Sequence, residues 1–459
     1  MKRELLIKNC TLATFFNDGY NAIKILEHAD ILISDGKIAK IDRNIKADCE
    51  QLDGTGKLAV PGLVNGRSRS LAYLLSKDIA DDKDHDRYGN TPLYTRVNPY
   101  INIALDILCD SQLADLLRLG LYLAIDSGTT TLFEQCSLRE LPIFLEQCSL
   151  SGVRSVAFPM LMSRTRLPEA DAWGTFDDDL EEVDEDEMLD QVEKMIRRYP
   201  AGGMVQAGIG LHSVDTLTPS LMRKAADRAY RSDRKLMVTM NETLHERQVC
   251  EERYGMSPAR LLHKNHVLHS YTLVCGNQYT DHEERMILKG ANAKAVVCPL
   301  QSLLDARTTP FIDLLIDDVP VLTGSGRCSI DMTQQMRASA INGKLESGKR
   351  YQMRAQDAFY ASTIGGGRVM GMPIGGLEEG CMADINLIDL QSPKYHPLVM
   401  PVKELVYNTE AGDIKDVIID GVIRKRNGSV VGMDKKDIIE KADKVMETVW
   451  EKAREVGAF

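Results

Sequence analysis

The chain has 459 residues, 44% hydrophobic and 27% charged, with 34 Gly and 16 Pro. This excludes a disordered, collagenous or small stapled chain and suits one large barrel-type domain with an elaboration. The formal charge of −11 is concentrated in Asp177 to Glu187 (DDDLEEVDEDE), which holds nine acids and no base; the rest is nearly balanced and offers no basic surplus for nucleic acid.

The N-terminus, MKRELLIKNC, alternates like a strand and lacks the continuous apolar stretch of a signal peptide. No run reaches about 18 apolar residues, so no membrane-spanning helix is expected. The ten cysteines form no CxxC pair, a pattern that suits reduced thiols in a cytoplasmic protein. Glu4 to Ile7, Ala29 to Ser34, Lys37 to Ile41 and Lys57 to Val60 read as strands, with Asp35-Gly36 as a hairpin turn.

From there, helical patterns alternate with short apolar strands at Thr130 to Phe133, Arg154 to Phe158, Gln206 to Leu211, Leu236 to Thr239, Lys294 to Cys298 and Val319 to Thr323. Such alternation predicts a parallel (β/α)8 barrel. The acidic run precedes a predicted helix over Met188 to Arg198, where acids favour the positive end of the helix dipole. Strand texture returns at Ala383 to Asp389, Glu404 to Tyr407, Asp416 to Ile419 and Val422 to Lys425, and Asp434 to Val456 reads as a packing helix. The expected fold is α/β: a barrel over 59–375, a composite β-sheet domain from 1–58 and 376–432, and a C-terminal helix within 433–459.

Two stretches carry a family resemblance: LAVPGLVNGRSRS, Leu58 to Ser70, and GGLEEGCMADINLIDL, Gly375 to Leu390. The first resembles the PGLxNxHxH strand of the amidohydrolase superfamily and the second its closing GxLexGkxADlxllD strand. SGTTTLFE (Ser127 to Glu134), GLHSVDTLTPSLM (Gly210 to Met222), MNET (Met240 to Thr243), AVVCPLQS (Ala295 to Ser302) and VPVLTGSG follow in register. The chain is similar throughout to the branch of chlorohydrolases, adenosine-derivative and guanine deaminases and SsnA-type aminohydrolases.

The resemblance implies one divalent metal held by the two histidines of HxH, a strand-five His, a strand-six His and a strand-eight Asp. Here HxH reads Arg67-Ser68-Arg69, the fifth strand Thr239-Met240-Asn241-Glu242, and the eighth Thr323-Gly324-Ser325-Gly326. The sixth-strand position falls on Cys275, or on His269 if a short insertion intervenes. A guanidinium has no lone pair to give and repels a dication. The expectation is therefore no metal and no cofactor.

Strand alternation puts Arg67 and Arg69 on one inward face, with Glu242 as their natural partner. His212 matches the fourth-strand His that approaches the substrate in deaminase relatives; its alternative role is a barrel histidine bonded to a neighbour. Cys275 is a nucleophile candidate or a small core residue. His28, His85, His245, His282 and His396 are expected at the surface, and His263, His266 and His269 lack interleaved acids or cysteines. Ile364 to Gly367 (IGGG) lacks the context of a phosphate loop.

The main functional expectation is an amidohydrolase-fold pseudoenzyme acting as an interaction or structural subunit in purine or related nitrogen metabolism, in a homo- or hetero-oligomer or beside an active paralogue. A second reading is a small-ligand binder in which Arg67 and Arg69 hold a carboxylate or phosphate with bidentate geometry at the barrel mouth, with His212, Glu242, Cys275 and Ser325 as further ligand-binding candidates. A third is a C–N hydrolase or deaminase of a purine-like substrate, with a displaced metal or none, using Glu242, His212 and Arg69.

Overall fold

The computed structural model describes residues 3–15, 23–77, 93–170 and 175–457. Eight parallel barrel strands follow in chain order: Leu63–Ser68, Thr129–Cys136, Arg154–Pro159, the pair of segments Val205–Ala207 and Ile209–Ser213, then Leu236–Met240, Thr272–Gly276, Lys294–Val297 and Val321–Thr323. They pair in sequence as two arcs. The arcs meet where Ser68 bridges Gly326 and where Leu161 bridges Leu211. At the first seam a Cβ on Gly324 would stand 2.6 Å from the Arg67 nitrogen, so the close approach of first and eighth strands requires glycine.

A nine-stranded mixed sheet joins the chain ends. Its path runs from Ser429–Val430 through Val422–Arg426, Ile414–Ile419, Ile385–Asp389, Lys57–Pro61, Glu4–Phe15 and Ile23–Ser34 to Lys37–Asp42, with Glu50–Asp53 pairing on Glu4–Phe15. Asp35 (φ 50°) with Gly36 (φ 79°), and Asp420 (φ 52°) with Gly421 (φ 69°), form hairpin turns with both residues left-handed. The sheet is tied to the barrel by a buried two-point pair, Arg154 to Asp384 at 3.0 and 3.3 Å.

Glu404 to Tyr407, expected as a strand, lies within a helix, Pro401–Asn408. Pro401 opens its first turn, and Val402, Leu405 and Val406 bury one helical face; at four residues the run was too short for its period to be read. The acidic stretch starts the helix Glu185–Arg198, where the Asp184 carboxylate accepts the Glu187 N–H at 2.9 Å. The last helix, Lys435–Glu455, buries Ile438, Ala442, Val445, Val449 and Ala453. Ile439 is exposed. Among the described residues no helix is long and apolar enough to cross a membrane.

Candidate active site

Inside the barrel an apolar layer, with Phe133, Met237, Leu273 and Val296 among its members, is buried in one cluster. Two residues further along their strands stand Gln135, Thr239, Cys275 and Cys298, because the inward face repeats every second residue. Arg67, 1% exposed, crosses this level. Its Nη1 donates to Glu242 Oε1 at 2.8 Å, its Nη2 to Oε2 at 3.1 Å, and its Nε to Gln135 Oε1 at 2.9 Å. Gln301 Nε2 adds a 2.7 Å bond to Glu242 Oε1. Burial works to raise the Glu242 carboxyl, but the Arg67 charge and these hydrogen bonds prevail and hold it well below the usual carboxylate range.

The expected pairing thus involves Arg67. Arg69, at the N-terminal boundary of the short helix Ser70–Ser76, is 4% exposed and forms no ion pair among the described residues. Its backbone N–H binds the Gly326 carbonyl at 2.9 Å, whereas its Nε and Nη2 are buried without a partner. Burial, and then the Arg67 charge, lower this guanidinium to about 10.

His212 is the penultimate residue of the fourth strand, and its Nδ1 lies 3.1 Å from both Ser213 Oγ and Thr216 Oγ1. Ser213 Oγ donates to Asp215 Oδ1, and Thr216 Oγ1 donates to the Ser213 carbonyl at 2.7 Å. With both hydroxyl protons engaged elsewhere, the proton between them and the imidazole belongs to Nδ1, and Nε2 carries the lone pair. Nε2 has no partner among the described residues. Burial, and then the charge of Arg69, lower His212 to about 3, so the ring is neutral at pH 7.

Several groups beside this strand end were not singled out from sequence. Glu246 accepts the backbone N–H groups of Val214 (3.3 Å) and Glu242 (2.9 Å), and burial followed by the Asp215 charge pushes it up to about 8. Glu134 accepts the Ser70 N–H at 2.6 Å and the Ser70 hydroxyl at 2.9 Å, and burial raises it to about 8. Tyr94 Oη lies 2.9 Å from Thr243 Oγ1. His245, expected at the surface, is buried, stacked on Phe176 at a 3.5 Å centroid distance and 2.7 Å from Asp178 Oδ1. The LHER stretch (Leu244 to Arg247) gave a polar signal, but burial came from a segment distant in sequence, with Phe176 and Asp178, folding over it.

The other candidates have different positions. Ser325 belongs to the seam: its hydroxyl accepts from Asn65 Nδ2 at 2.8 Å and donates to the Arg67 carbonyl at 3.3 Å. Cys275 packs in the apolar barrel cluster, where burial raises its thiol far above the usual range; the nearby Arg67 does not make it the thiolate a nucleophile requires. Cys275 also holds the sixth-strand position, opposite Thr239. His269 precedes that strand at its other end, half-buried and stacked on Tyr271. His263, His266, His28, His282 and His396 are exposed, and His85 lies outside the described residues.

The divalent ion implied by the resemblance does not fit the groups at these positions. Both Glu242 oxygens are engaged by a guanidinium at the first HxH position, and a second guanidinium follows. Among the described residues no group of three or more His, Cys, Asp or Glu side chains could hold a metal ion.

A model of the amidohydrolase family matches residues 77–424. The 5'-deoxyadenosine deaminase of Methanocaldococcus jannaschii is 28% identical over 434 residues, 91% of this chain and 96% of that protein. A 5-methylthioadenosine/S-adenosylhomocysteine deaminase of Aquifex aeolicus is 26% identical over 430 residues, 92% of this chain and 94% of its own. The structure of an adenosine deaminase from Xanthomonas campestris with bound zinc superposes with a TM-score of 0.85 at 19% identity, covering 98% of this chain and 99% of that one, and so shares its fold.

These findings correct the main functional expectation. A barrel kept only as an interaction or structural subunit was inferred from the missing ligand motifs alone, whereas the relatives that match from end to end are named as deaminases. The replaced positions account for one part of the mouth; the imidazole of His212, hydrogen-bonded to Ser213 and Thr216, stands beside it.

Proposed function

The chain belongs to the amidohydrolase family, and from that premise we propose that it hydrolyses the C–N bond of an exocyclic amine on a purine-like substrate, without a divalent ion at the position of Arg67 and Glu242. The observation that carries the reading is His212, whose Nδ1–H is committed to Ser213 and Thr216 and whose Nε2 lone pair is left for a substrate or a water.

A water oxygen bonds to the amine-bearing ring carbon as one water proton passes to His212 Nε2. The C–N bond then breaks as that proton goes to the leaving amine, which departs as ammonia. The remaining hydroxyl proton moves to the ring nitrogen, so that amine and water become a lactam and ammonia. The imidazolium formed in between is favoured by the line from Nδ1–H through Ser213 to the Asp215 carboxylate, a base oriented by a third group. Glu242 has another part: its carboxylate is engaged by Arg67 and Gln301, and it fixes the floor under the reacting groups.

Support for an adenine-type substrate comes from the names of the end-to-end relatives. The test is ammonia release from 5'-deoxyadenosine, 5'-methylthioadenosine, S-adenosylhomocysteine and guanine by the purified chain. The expected result is release from at least one of them at about 1 s⁻¹ or below, at the slow end of the enzyme range. Failure of all four at stoichiometric enzyme over hours would overturn the reading.

A further inference from the structure

The buried guanidinium groups around the barrel mouth divide by their partners. Arg67 has Glu242, and Arg327 has Asp305 at 2.6 Å. Arg69 has no carboxylate among the described residues, and it alone among their arginines leaves two buried guanidinium nitrogens, Nε and Nη2, without a hydrogen bond. Those two N–H groups lie along one edge of the planar group and point the same way, the edge that receives two oxygens of one anion. The same edge is used within this molecule at Arg154, whose Nε and Nη2 donate to the two oxygens of Asp384 at 3.0 and 3.3 Å.

A buried charge without a partner is unfavourable. Nearby acids do not answer it. Glu242 is engaged by Arg67, Glu134 accepts both Ser70 donors, and Glu140, whose charge acts on Arg69, accepts the Ser137 N–H at 2.7 Å; burial raises the last two. Arg69 is left with one unpartnered two-point edge.

We propose that Arg69 binds an anionic oxygen group of the substrate, a carboxylate or a phosphate, through its Nε–H and Nη2–H edge. The site thereby takes an anion in the region where the sequence motif of its relatives places a cation. Both nitrogens are closed to solvent, so neighbouring side chains give way as the anion enters, and part of the binding energy is spent on that displacement. The anion also cancels the charge that acts on His212, and the imidazole becomes a stronger base when the substrate is seated. The inference names the substrate class of the reaction proposed above, but its test reads binding alone, so either can fail without the other.

The test is thermal unfolding of the full chain in sodium acetate and in inorganic phosphate, each against sodium chloride at equal ionic strength, for the wild type, Arg69→Gln and Arg69→Lys. The wild type is expected to melt roughly 2 °C or more higher in one of the two anions, by mass action on the folded state. Acetate alone identifies a carboxylate site and phosphate alone a phosphate site. Arg69→Gln, relieved of an unpaired charge, is expected to melt higher than the wild type in chloride and to lose the response; Arg69→Lys keeps the charge without the edge and retains less of it. A second reading uses the unmodified chain: the His212 imidazole, followed by NMR, titrates at higher pH when the effective anion is present. No rise beyond chloride in either anion, an equal rise in Arg69→Gln, or an unmoved His212 titration overturns the proposal.

Discussion

Glu242 is the residue at which a family motif and its chemistry part. Its carboxylate is held ionised, and the cause is Arg67, a neighbour that also engages both oxygens. Removing the carboxylate leaves a guanidinium 1% exposed with no counter-charge, so Glu242→Ala is expected to destabilise the fold by about 3–5 kcal/mol, read by urea unfolding. A loss under about 1 kcal/mol would mean that the pair contributes nothing the surroundings cannot replace. His212 gives a pH signature. Its folded-state value of about 3 lies below the ordinary 6.5, so between these pH values the unfolded chain binds more protons and stability rises with pH. Glu246 and Glu134, raised to about 8, act oppositely between about 4.5 and 8. The difference between wild type and His212→Asn isolates the histidine: across pH 4 to 6 the wild type is expected to lose up to about 1.4 kcal/mol more per unit of acidification. Parallel stability curves would show that His212 titrates normally.

At the level of elements, alternation and turn chemistry made most of the barrel legible. The Asp-Gly turns, the six strands read directly and the last helix stand where their patterns put them. Reading failed where packing decides. Glu404 to Tyr407 has too few residues to distinguish two periods, and Pro401 with its buried helical face resolves it. The sixth-strand ambiguity between Cys275 and His269 depended on register, which is set by pairing with the fifth strand and has no local signal. Glu246, Asp215 and His245 were passed over because each looks like a surface residue in its own segment. Only the third dimension brings the turn after the fourth strand, Val214–Thr216, against the helix Leu244–Tyr254, as the Glu246 bond to the Val214 N–H records.

Across the whole molecule, one part of the mouth holds a closed pair of charges where the family resemblance implies ion-binding groups, and beside it stands an oriented imidazole. The conversion of a missing motif into missing chemistry was the step that failed, because function belongs to the assembled site and not to one motif within it. The central claim is that His212, with no divalent ion at the Arg67 and Glu242 position, moves the proton in C–N hydrolysis. Single-turnover ammonia release by chelator-treated enzyme, on whichever adenine derivative the four-compound assay selects, tests it directly in wild type and His212→Gln. The account predicts that wild-type release survives the chelator and that His212→Gln slows it by about 100-fold or more, the usual worth of a general base. Release that appears only on adding zinc, or that is unchanged in His212→Gln, would contradict it.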